Sequence, residues 1–399
     1  MSKAPKLRFK EFSGDWEEKK LGTLGQFLKG STLSKADLSE EGKPCVLYGE
    51  LYTKYNEVIN NVISKTNLEN DKLVLGQKND VLIPSSGETA IDIATASCLQ
   101  QDNVILGGDL NVFRSDKVNG VFTSYQLNSS KKREIARLSQ GASVVHIYND
   151  QLKKIKLSVP SKEEQEKIAS FFSLIDDKIS LQGEKLEMLK DYKRGMMQKI
   201  FSRELRFKDD EGRDYPEWNM SKAKDLFESI SDKNHNGDLE VLSATQDRGV
   251  IPRSELNIDI KFEQDNLVSY KKVKKDDFII SLRSFQGGIE HSAYTGLVSP
   301  AYTVFNFKEN INFCHKFFAI IFKSTSFINR LNTLTYGIRD GKAISFKDFS
   351  DVKLEYPSKE EQEKIAEFFS NIDLKIEKEQ EKLDSLNEYK KGLLQQMFV

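Results

Sequence analysis

The chain has 399 residues, with 60 basic and 61 acidic side chains and a formal net charge of −1. This length allows two or three domains, each with its own core. The sequence holds no run of about 18 apolar residues, and the N-terminus lacks the apolar core of a secretory signal, so we expect neither a membrane span nor export. The balanced charge counts mildly against a free-standing DNA-binding protein, since such proteins tend to be basic.

One segment of the sequence occurs twice. Residues 157–201 and 354–398 align at a constant offset of 197 positions, and 27 of their 45 residues are identical. A repeat of this length must be interpreted first, because it dictates the architecture. It predicts two similar rods, each preceded by a different globular segment. The four segments are head one (1–156), rod one (157–204), head two (205–353) and rod two (354–399).

The two heads differ in sequence but share short phrases. Both begin with Leu-Arg-Phe-Lys followed by a tryptophan, Trp16 or Trp218, and both contain an apolar run after an acidic turn, at 79–83 and 276–280. Both finish with a Gly-containing loop and a short strand, at 141–147 and 337–344. The pattern predicts an α+β fold for each head. The predicted strands are 46–47, 73–75, 81–83, 104–106, 241–242, 278–282 and 302–307, and the predicted helices are 132–139 and 314–324.

Each rod opens with a helix start signal. Ser161 is followed by Glu164, and Ser358 by Glu361, which predicts a capping box in which each partner satisfies a backbone N–H. Apolar residues then recur at alternating spacings of four and three, which predicts a coiled-coil seam. We expect two helices of about 60 Å that pack antiparallel within one molecule, imitating a two-fold dimer. The predicted seam residues are Ile168, Phe172, Ile175, Ile179, Leu186, Leu189, Ile365, Phe369, Ile372, Ile376, Leu383 and Leu386.

Polar residues interrupt the seam at matching places, Gln182 with Glu379 and Lys193 with Lys390. They either fix the register of the two helices or lie where the coil splays apart. A generic dimerisation coil would need only the apolar pattern. Here the outward-facing residues are repeated as well, which favours a more specific role.

Several kinds of catalytic chemistry are missing from the sequence. It contains no Pro-Pro pair of the kind used by amino-methyltransferases, no Pro-Asp start of the common nuclease motif, and no phosphate-binding loop. The four histidines do not cluster with metal-ligand spacing. The cysteines Cys45, Cys98 and Cys314 show no paired spacing and are expected to be reduced thiols. The chain is therefore predicted to be a binding component and not an enzyme.

Two repeated elements identify a family. Each rod begins with Pro-Ser-x-Glu-Glu-Gln-x-x-Ile-Ala, at 160–169 and 357–366, and ends with a Tyr-Lys-x-Gly tail, at 192–201 and 389–398. With an unlike domain before each rod, this layout resembles the specificity subunits of type I restriction-modification enzymes. The resemblance covers essentially the whole chain.

The resemblance implies an α+β chain with two target recognition domains separated by two long antiparallel coiled-coil helices, pseudo-two-fold through the internal repeat. Each domain would recognise one half of a bipartite site in double-stranded DNA, and the helices would set the spacing and dock two methyltransferase subunits. Restriction and translocation subunits would join that core. S-adenosylmethionine, ATP and Mg²⁺ would be used by those partners, with no cofactor or metal in this subunit. The expected location is the bacterial cytoplasm, at the nucleoid.

DNA contacts are expected from polar loop residues beside the shared strands, because Arg pairs naturally with guanine and Asn or Gln with adenine. Half-sites one helical turn apart are separated by roughly 34–36 Å. For each residue, a solvated loop side chain is the alternative. The candidates are Lys29, Ser31, Thr32, Lys54, Ser85, Ser86, Glu88, Thr89 and Asn111 in head one, and Gln246, Arg248, Arg283, Ser284, Gln286, Tyr302, Arg339 and Lys342 in head two.

Two other functions compete with this hypothesis. The chain could be a non-enzymatic coiled-coil scaffold whose heads bind proteins, or an enzyme with an unfamiliar site. Two sequence-dependent DNA footprints separated by an insensitive spacer would favour the specificity subunit. Methylation or cleavage of DNA by the isolated chain would favour an enzyme.

Overall fold

The computed structural model describes residues 4–141, 144–245, 248–256, 264–280, 288–334 and 345–399. The chain divides into two compact units, Met1–Glu184 with Gln380–Val399 (unit one) and Lys185–Glu379 (unit two). This division passes through both long helices, so each unit holds one head and a part of each helix. Among the described helices, none is both long enough and apolar enough to span a bilayer.

Unit one is built mostly from short strands. The strands are β1 (Glu17–Lys20), β2 (Gln26–Lys29), β3 (Leu38–Ser39), β4 (Lys43–Val46), β5 (Val58–Ile59), β6 (Ser64–Thr66), β7 (Val74–Gly76), β8 (Val81–Pro84), β9 (Ser86–Gly87), β10 (Ser97–Leu99), β11 (Val104–Leu106), β12 (Leu110–Arg114), β13 (Val145–His146) and β14 (Lys156–Val159). The helices are α1 (Leu21–Leu24), α2 (Glu50–Thr53), α3 (Ala90–Ile93), α4 (Gly120–Asn128), α5 (Lys132–Leu138), α6 (Asn149–Leu152) and the first part of α7 (Lys162–Phe201).

Ten strands of unit one form two five-stranded sheets, in the orders β2-β12-β8-β10-β5 and β3-β6-β4-β11-β7, and the other four form the pairs β1-β14 and β13-β9. Strand β8 runs antiparallel to β12, with Leu82 opposite Val112. All four residues of β8 are buried, as expected for a short apolar run in the middle of a sheet. The main core lies beneath this sheet and contains Trp16, Phe122 and Tyr125.

Unit two has a similar plan, with fewer strands among its described residues. Its strands are β15 (Asn219–Lys222), β16 (Phe227–Ile230), β17 (Leu242–Thr245), β18 (Gly249–Pro252), β19 (Lys271–Val273), β20 (Phe278–Ile280), β21 (Ile289–His291), β22 (Gly296–Val298), β23 (Thr303–Phe307) and β24 (Lys353–Tyr356). Its helices are α8 (Ala223–Leu226), α9 (His315–Phe322), α10 (Thr325–Leu334), α11 (Phe346–Ser350) and most of α12 (Lys359–Met397), with the end of α7. The sheet β16-β23-β20-β21 packs on a core rich in phenylalanine, including Phe227, Phe278 and Phe305.

The acidic turns before β8 and β20 are equivalent. Asn79 and Asp276 both have positive φ angles, of 77° and 73°, which Asn and Asp tolerate better than most residues. The side chain of the next residue accepts a hydrogen bond from the backbone N–H three positions earlier. Asp80 accepts from Gln77, and Asp277 accepts from Lys274. The shared phrase in the sequence therefore encodes a shared turn.

Most predicted elements of the heads are confirmed. Strands occur at or within two residues of each predicted run, and the predicted helices 132–139 and 314–324 correspond to α5 and α9. Strand β13 forms the predicted short strand at the end of head one. The corresponding loop and strand of head two, predicted at 337–344, lie outside the described residues.

The two long helices pack against each other in opposite directions inside each unit. In unit one, Phe172 of α7 stacks on Phe398, which directly follows α12, and Asp176 pairs with Lys390. In unit two, Lys185 of α7 pairs with Glu379 and Lys193 pairs with Asp373. Moving forward along α7 thus means moving backward along α12, and the predicted antiparallel pairing is confirmed.

Candidate nucleic-acid interface

The start of each long helix is fastened to the head that precedes it. In unit one the guanidinium of Arg8 donates to both carboxylate oxygens of Glu164, at 2.7 Å each, and the Trp16 indole N–H donates to the same carboxylate. In unit two Arg206 makes the equivalent two-point contact with Glu361, at 3.3 and 2.8 Å. Both glutamates are about 1% exposed, so the repeated phrases of heads and rods encode one buried ion pair per unit.

These contacts correct the predicted capping boxes. The Ser161 and Ser358 hydroxyls do accept the backbone N–H of Glu164 and Glu361. The glutamate side chains, however, turn toward the arginines of the heads and do not return to the cap. A guanidinium is charged and binds a carboxylate through two hydrogen bonds, whereas a backbone N–H is neutral and offers one. This difference explains why the glutamates contact the arginines.

The repeated glutamine after each of these glutamates has a similar role. Gln165 donates to the Pro160 carbonyl and accepts the backbone N–H of Asn119, the residue before α4. Gln362 repeats this bridge with Pro357 and with Cys314, which precedes α9. The buried Glu-Gln pair of each rod therefore fastens its long helix to its own head.

The lysines that interrupt the seam form ion pairs between α7 and α12. Lys193 lies 2.5 Å from Asp373, and Lys390 lies 2.7 Å from Asp176. These pairs are related by the 197-residue repeat, because Lys193 and Lys390 are counterparts and so are Asp176 and Asp373. Of the two interpretations left open by the sequence, fixing the register is therefore favoured.

In unit one this pair belongs to a half-buried network. Lys390 also contacts Glu57 of head one at 2.7 Å, and the Tyr125 hydroxyl donates to Asp176 at 2.5 Å. Burial lowers the pKa of Lys390, but the charges of Glu57 and Asp176 outweigh burial and raise it above the usual lysine value. The lysine is therefore held in its charged form, tying the end of α12 to head one and to α7.

All predicted seam residues lie away from solvent. In the described structure each of them is buried or half-buried. The seam does not end at the coil, because Ile168 and Phe172 belong to the core of head one, while Ile365 and Phe369 belong to the core of head two. The same apolar stripe thus joins the helices to each other and to the heads.

A cleft of about 800 Å³ opens in head one between β4, α2 and the loop after β2. Three predicted DNA-contacting residues line it, namely Thr32, Lys54 and Glu88. All three are exposed. Lys54 forms an ion pair with Glu50, which is 8% exposed. The buried carboxylate therefore holds the Lys54 ammonium group in a defined position.

A second group of predicted residues lies around Tyr148, which is 49% exposed. The Lys29 ammonium lies 6.0 Å from the centre of the Tyr148 ring, and the ring stacks on His146. Strand β13 pairs with β9, which follows Ser85 directly. Thr89 is exposed but caps α3 by accepting the N–H of Asp92.

Three predicted residues of head one are buried and hold the fold together. The Ser31 hydroxyl donates to the Leu106 carbonyl, and the Asn111 side chain donates to the Ile147 carbonyl. The Ser86 hydroxyl contacts Nδ1 of His146 at 3.0 Å. Burial of these groups argues against direct contact with a base in this conformation.

In head two, only two of the predicted DNA-contacting residues lie in the described part of the chain. Arg248 is exposed and pairs with Glu255, while Tyr302 is half-buried beside the core of β17 and β20. Its carbonyl accepts a hydrogen bond from Lys271. The remaining predicted residues lie outside the described part of the chain; they are Gln246, Arg283, Ser284, Gln286, Arg339 and Lys342.

Sequence reasoning missed several side chains that share these surfaces. Tyr48, Tyr52 and Lys35 line the head-one cleft. Tyr148 lies beside Lys29, and His146 stacks on the Tyr148 ring. The sequence signal available at Tyr148 was its position just after the predicted run 141–147, and its exposure became evident only in the structure. The cleft residues gave no such signal, because the cleft is assembled from segments distant in sequence.

Comparison with known proteins gives the same assignment for both halves of the chain. A family model for the type I restriction modification DNA specificity domain matches residues 13–191 and 215–388. The type I restriction enzyme MjaVIII specificity subunit of Methanocaldococcus jannaschii is 26% identical, over 97% of this chain and 94% of the relative. The putative type I restriction enzyme MjaX specificity subunit of the same organism is 23% identical, over 98% and 94%.

Two solved structures share the fold. The S subunit of the type I restriction-modification system from M. genitalium has a TM-score of 0.60 and 18% identity, covering 99% of each chain. A chain from a study of complex assembly and conformational transition in a type I system has a TM-score of 0.55 and 12% identity, covering 95% and 96%. Because the family match spans both heads and most of both long helices, this chain belongs to the non-catalytic DNA specificity subunits of type I restriction-modification systems.

Proposed function

We propose that each head recognises one half of a bipartite DNA site, and that α7 and α12 set the distance between the half-sites. The observation that carries the proposal is that the two heads are attached to their helices in the same way but have different surfaces. Arg8–Glu164 and Arg206–Glu361 fasten the two heads to their helices in the same way. The surfaces that the heads carry are unlike, as expected for two recognition modules with different targets.

In head one we propose that DNA is contacted by the rim of the 800 Å³ cleft and by the neighbouring patch at Tyr148. Lys29 and Lys35 are exposed cations suited to phosphate contacts, which supply much of the affinity for DNA. Thr32 and Glu88 offer a hydroxyl and a carboxylate, groups that can contact base edges, and a carboxylate accepts from cytosine N4.

In head two we propose that Arg248 takes part, together with the candidates that lie outside the described residues. Arg248 is half-exposed at 49%, and its partner Glu255 is exposed at 42%. An exposed ion pair contributes little to stability, so exchanging the carboxylate for a guanine edge or a phosphate costs little.

The spacing role is supported by the cross-helix lysines. Lys193 and Lys390 each meet an aspartate of the opposite helix within their own unit. Slipping the helices by one turn would separate both pairs and leave charges in the seam, which is costly where they are buried. We propose that this fixed register defines the spacer between half-sites.

The family implies partner subunits, and we propose that two methyltransferase subunits and the restriction and translocation subunits assemble on this chain at the nucleoid, inside the cell. S-adenosylmethionine, ATP and Mg²⁺ would be bound by those partners. A specificity subunit that borrows part of its phosphate attraction from partners need not be basic itself, which fits the net charge of −1.

The test is to map methylated adenines in cells expressing this chain with its methyltransferase subunit. Two short specific half-sites separated by a degenerate spacer of fixed length are expected. DNA footprints of the purified complex should show the same two patches. A complex that binds proteins through its heads and protects no DNA sequence would instead support the scaffold function.

A further inference from the structure

The cleft of head one contains a lysine whose direction is fixed by a buried carboxylate. Lys54 directly follows α2 and lines the cleft; its side chain is 42% exposed, whereas that of Glu50 is 8% exposed. The Lys54 ammonium donates to Oε1 of Glu50 at 2.8 Å and to the Ser64 hydroxyl oxygen at 3.4 Å. An ammonium group has three N–H donors, so two of them are held and the third has a defined direction.

The Glu50 carboxylate is held just as firmly. Its Oε2 accepts the backbone N–H of Leu47 at 2.9 Å, and its Oε1 accepts the Ser64 hydroxyl in addition to the Lys54 ammonium. These bonds come from the strand before α2, the residue after it and the strand β6. They fix the carboxylate in place, and the carboxylate in turn fixes the lysine.

Stability alone does not explain this arrangement. Removing a carboxylate from water is costly, and a buried ion pair seldom stabilises a fold more than apolar side chains of similar size would. The member of the pair that reaches solvent is the cation of Lys54, while Glu50 stays buried. A buried group that orients an exposed one is the usual arrangement of a functional site.

The pair differs from the other cations of head one in its net charge. Lys35 also lines the cleft and is exposed, and it brings a positive charge suited to phosphate. The Lys54–Glu50 pair is neutral as a whole, so it supplies little of the charge attraction that draws DNA phosphates. It still presents an N–H donor, which is a group that can contact a base edge.

The chemistry of lysine narrows the base that it can recognise, because an ammonium group donates hydrogen bonds and accepts none. In the major groove guanine presents two neighbouring acceptors, O6 and N7. Adenine places a donor beside its acceptor, thymine places a methyl group there, and cytosine offers a donor. A lysine of fixed direction therefore matches guanine better than the other three bases.

We propose that Lys54 is a specificity-determining residue of head one that donates to O6 and N7 of a guanine, with Glu50 and Ser64 as positioning residues. The half-site of head one then contains a guanine, while exposed lysines such as Lys35 contact phosphates. The inference rests on the proposed function, since it requires head one to bind DNA, and it adds the base that is recognised and the residue that recognises it.

The test uses the full chain purified with its methyltransferase subunit. The complex selects duplexes from a random DNA pool, and sequencing gives the base preference at each position. Wild type should select guanine at a position of the head-one half-site. The double variant Glu50→Gln–Lys54→Met removes both charges and leaves no unpaired buried charge. It should lower the guanine preference about ten-fold at that position alone, with the other half-site and the salt dependence of binding unchanged.

Glu50→Gln alone separates positioning from contact. The amide keeps the size of the side chain but leaves the charge of Lys54 without its counter-charge. The guanine preference should fall, while binding to unrelated DNA becomes stronger and its dependence on salt steeper, by a slope of about 0.9. Loss of a merely structural contact would not strengthen binding to unrelated DNA.

A modified base tests the contact at one atom. 7-Deazaguanine lacks the N7 acceptor but still pairs with cytosine. Placed at the selected position, it should weaken binding by wild type about five-fold and leave binding by the double variant unchanged. Lys153→Met is the matched control, because Lys153 forms a similar pair with Asp150 but is not among the residues that line the cleft. This control should select guanine and discriminate against 7-deazaguanine as wild type does.

Unchanged guanine preference in the double variant would overturn the inference, as would equal binding of guanine and 7-deazaguanine by wild type. Weaker binding of the double variant to all sequences alike would also overturn it, because that result would assign Lys54 to a phosphate contact. Selection of no bipartite site by the wild-type complex would refute the proposed function itself, and this result is distinct from the other three.

Discussion

Arg8 and Glu164 are 156 residues apart in sequence, yet their side chains form a two-point ion pair in which both N–O distances are 2.7 Å. The pair joins the first residues of head one to the first turn of α7. Arg206 and Glu361 form the equivalent pair in unit two. In each unit the segment that enters the head is therefore bonded to the long helix that follows the head.

Removing Arg8 should destabilise unit one strongly. Arg8→Met leaves the Glu164 carboxylate, 1% exposed, without its cation, and breaking a buried pair in this way costs about 3–5 kcal/mol. Denaturant unfolding followed by Trp16 fluorescence, in a Trp218→Phe background, measures this loss directly, since the Trp16 indole contacts the same carboxylate.

The matched control for this experiment is Lys167→Met. Lys167 pairs with Glu11, and both side chains are nearly half exposed, so the expected loss is below about 1 kcal/mol. Equal losses for the two variants would mean that Arg8–Glu164 contributes no more than a surface pair.

The two seam lysines should differ in their contribution to stability, although they are equivalent in the repeat. Lys390 is 14% exposed and faces two carboxylates, whereas Lys193 is 29% exposed and faces Asp373, which is 51% exposed. Lys390→Met is expected to cost about 3 kcal/mol or more, and Lys193→Met about 1 kcal/mol or less. Urea unfolding of both variants checks the difference, and a larger cost for Lys193→Met would contradict it.

Head two should lose stability as the pH falls below about 6.5. Burial lowers the pKa of His291 and of His315, against the attraction of Asp276. The unfolded chain takes up these protons near pH 6.5, whereas the folded chain takes them up only at lower pH, so the unfolded state binds more protons and is favoured. Burial raises the pKa of Asp277, so proton uptake by this carboxyl on acidification acts in the opposite sense.

This pH dependence can be assigned with His291→Gln. Urea midpoints from pH 7.5 to 5.5, followed through Trp218 fluorescence in a Trp16→Phe background, should decline less steeply for the variant than for its parent. An identical decline would show that His291 is not responsible.

Two of the three cysteines should be inert in the folded chain. Burial raises the pKa of Cys45 to about 11 and that of Cys98 to about 12, and the thiolate is the reactive form. At pH 8, iodoacetamide should label half-buried Cys314 first, and the other two at least about 100-fold more slowly than in urea. Mass spectrometry of peptides measures this order, and early labelling of Cys98 would refute it.

The sequence predicted the features that depend on local pattern. The seam from Ile168 to Leu189 follows from spacing alone, and the turns at Asn79 and Asp276 follow from a phrase present in both heads. Contacts between distant segments could not be found this way. Ser31 and Asn111 were expected at the surface because they flank strands, but their partners, Leu106 and Ile147, become neighbours only after the sheets form.

The Arg8–Glu164 pair was missed for a related reason, although a signal existed. An arginine is repeated in both lead-in segments, and glutamates are repeated at the start of both rods. The Ser-x-x-Glu pattern predicts a capping box instead, because a capping box involves only residues close in sequence. Pairing the repeated charges across the chain would have required knowing that the head folds back on its helix.

The equivalence of the two head attachments permits one direct test of the account. Residues 205–353 are replaced by a second copy of residues 7–156, so that two copies of head one precede the two long helices, and methylated adenines are mapped in cells that also express the methyltransferase subunit. The account predicts an inverted repeat of one wild-type half-site with the spacer length retained. Methylation of the unchanged wild-type site, or of a site sharing neither half with it, would contradict the account.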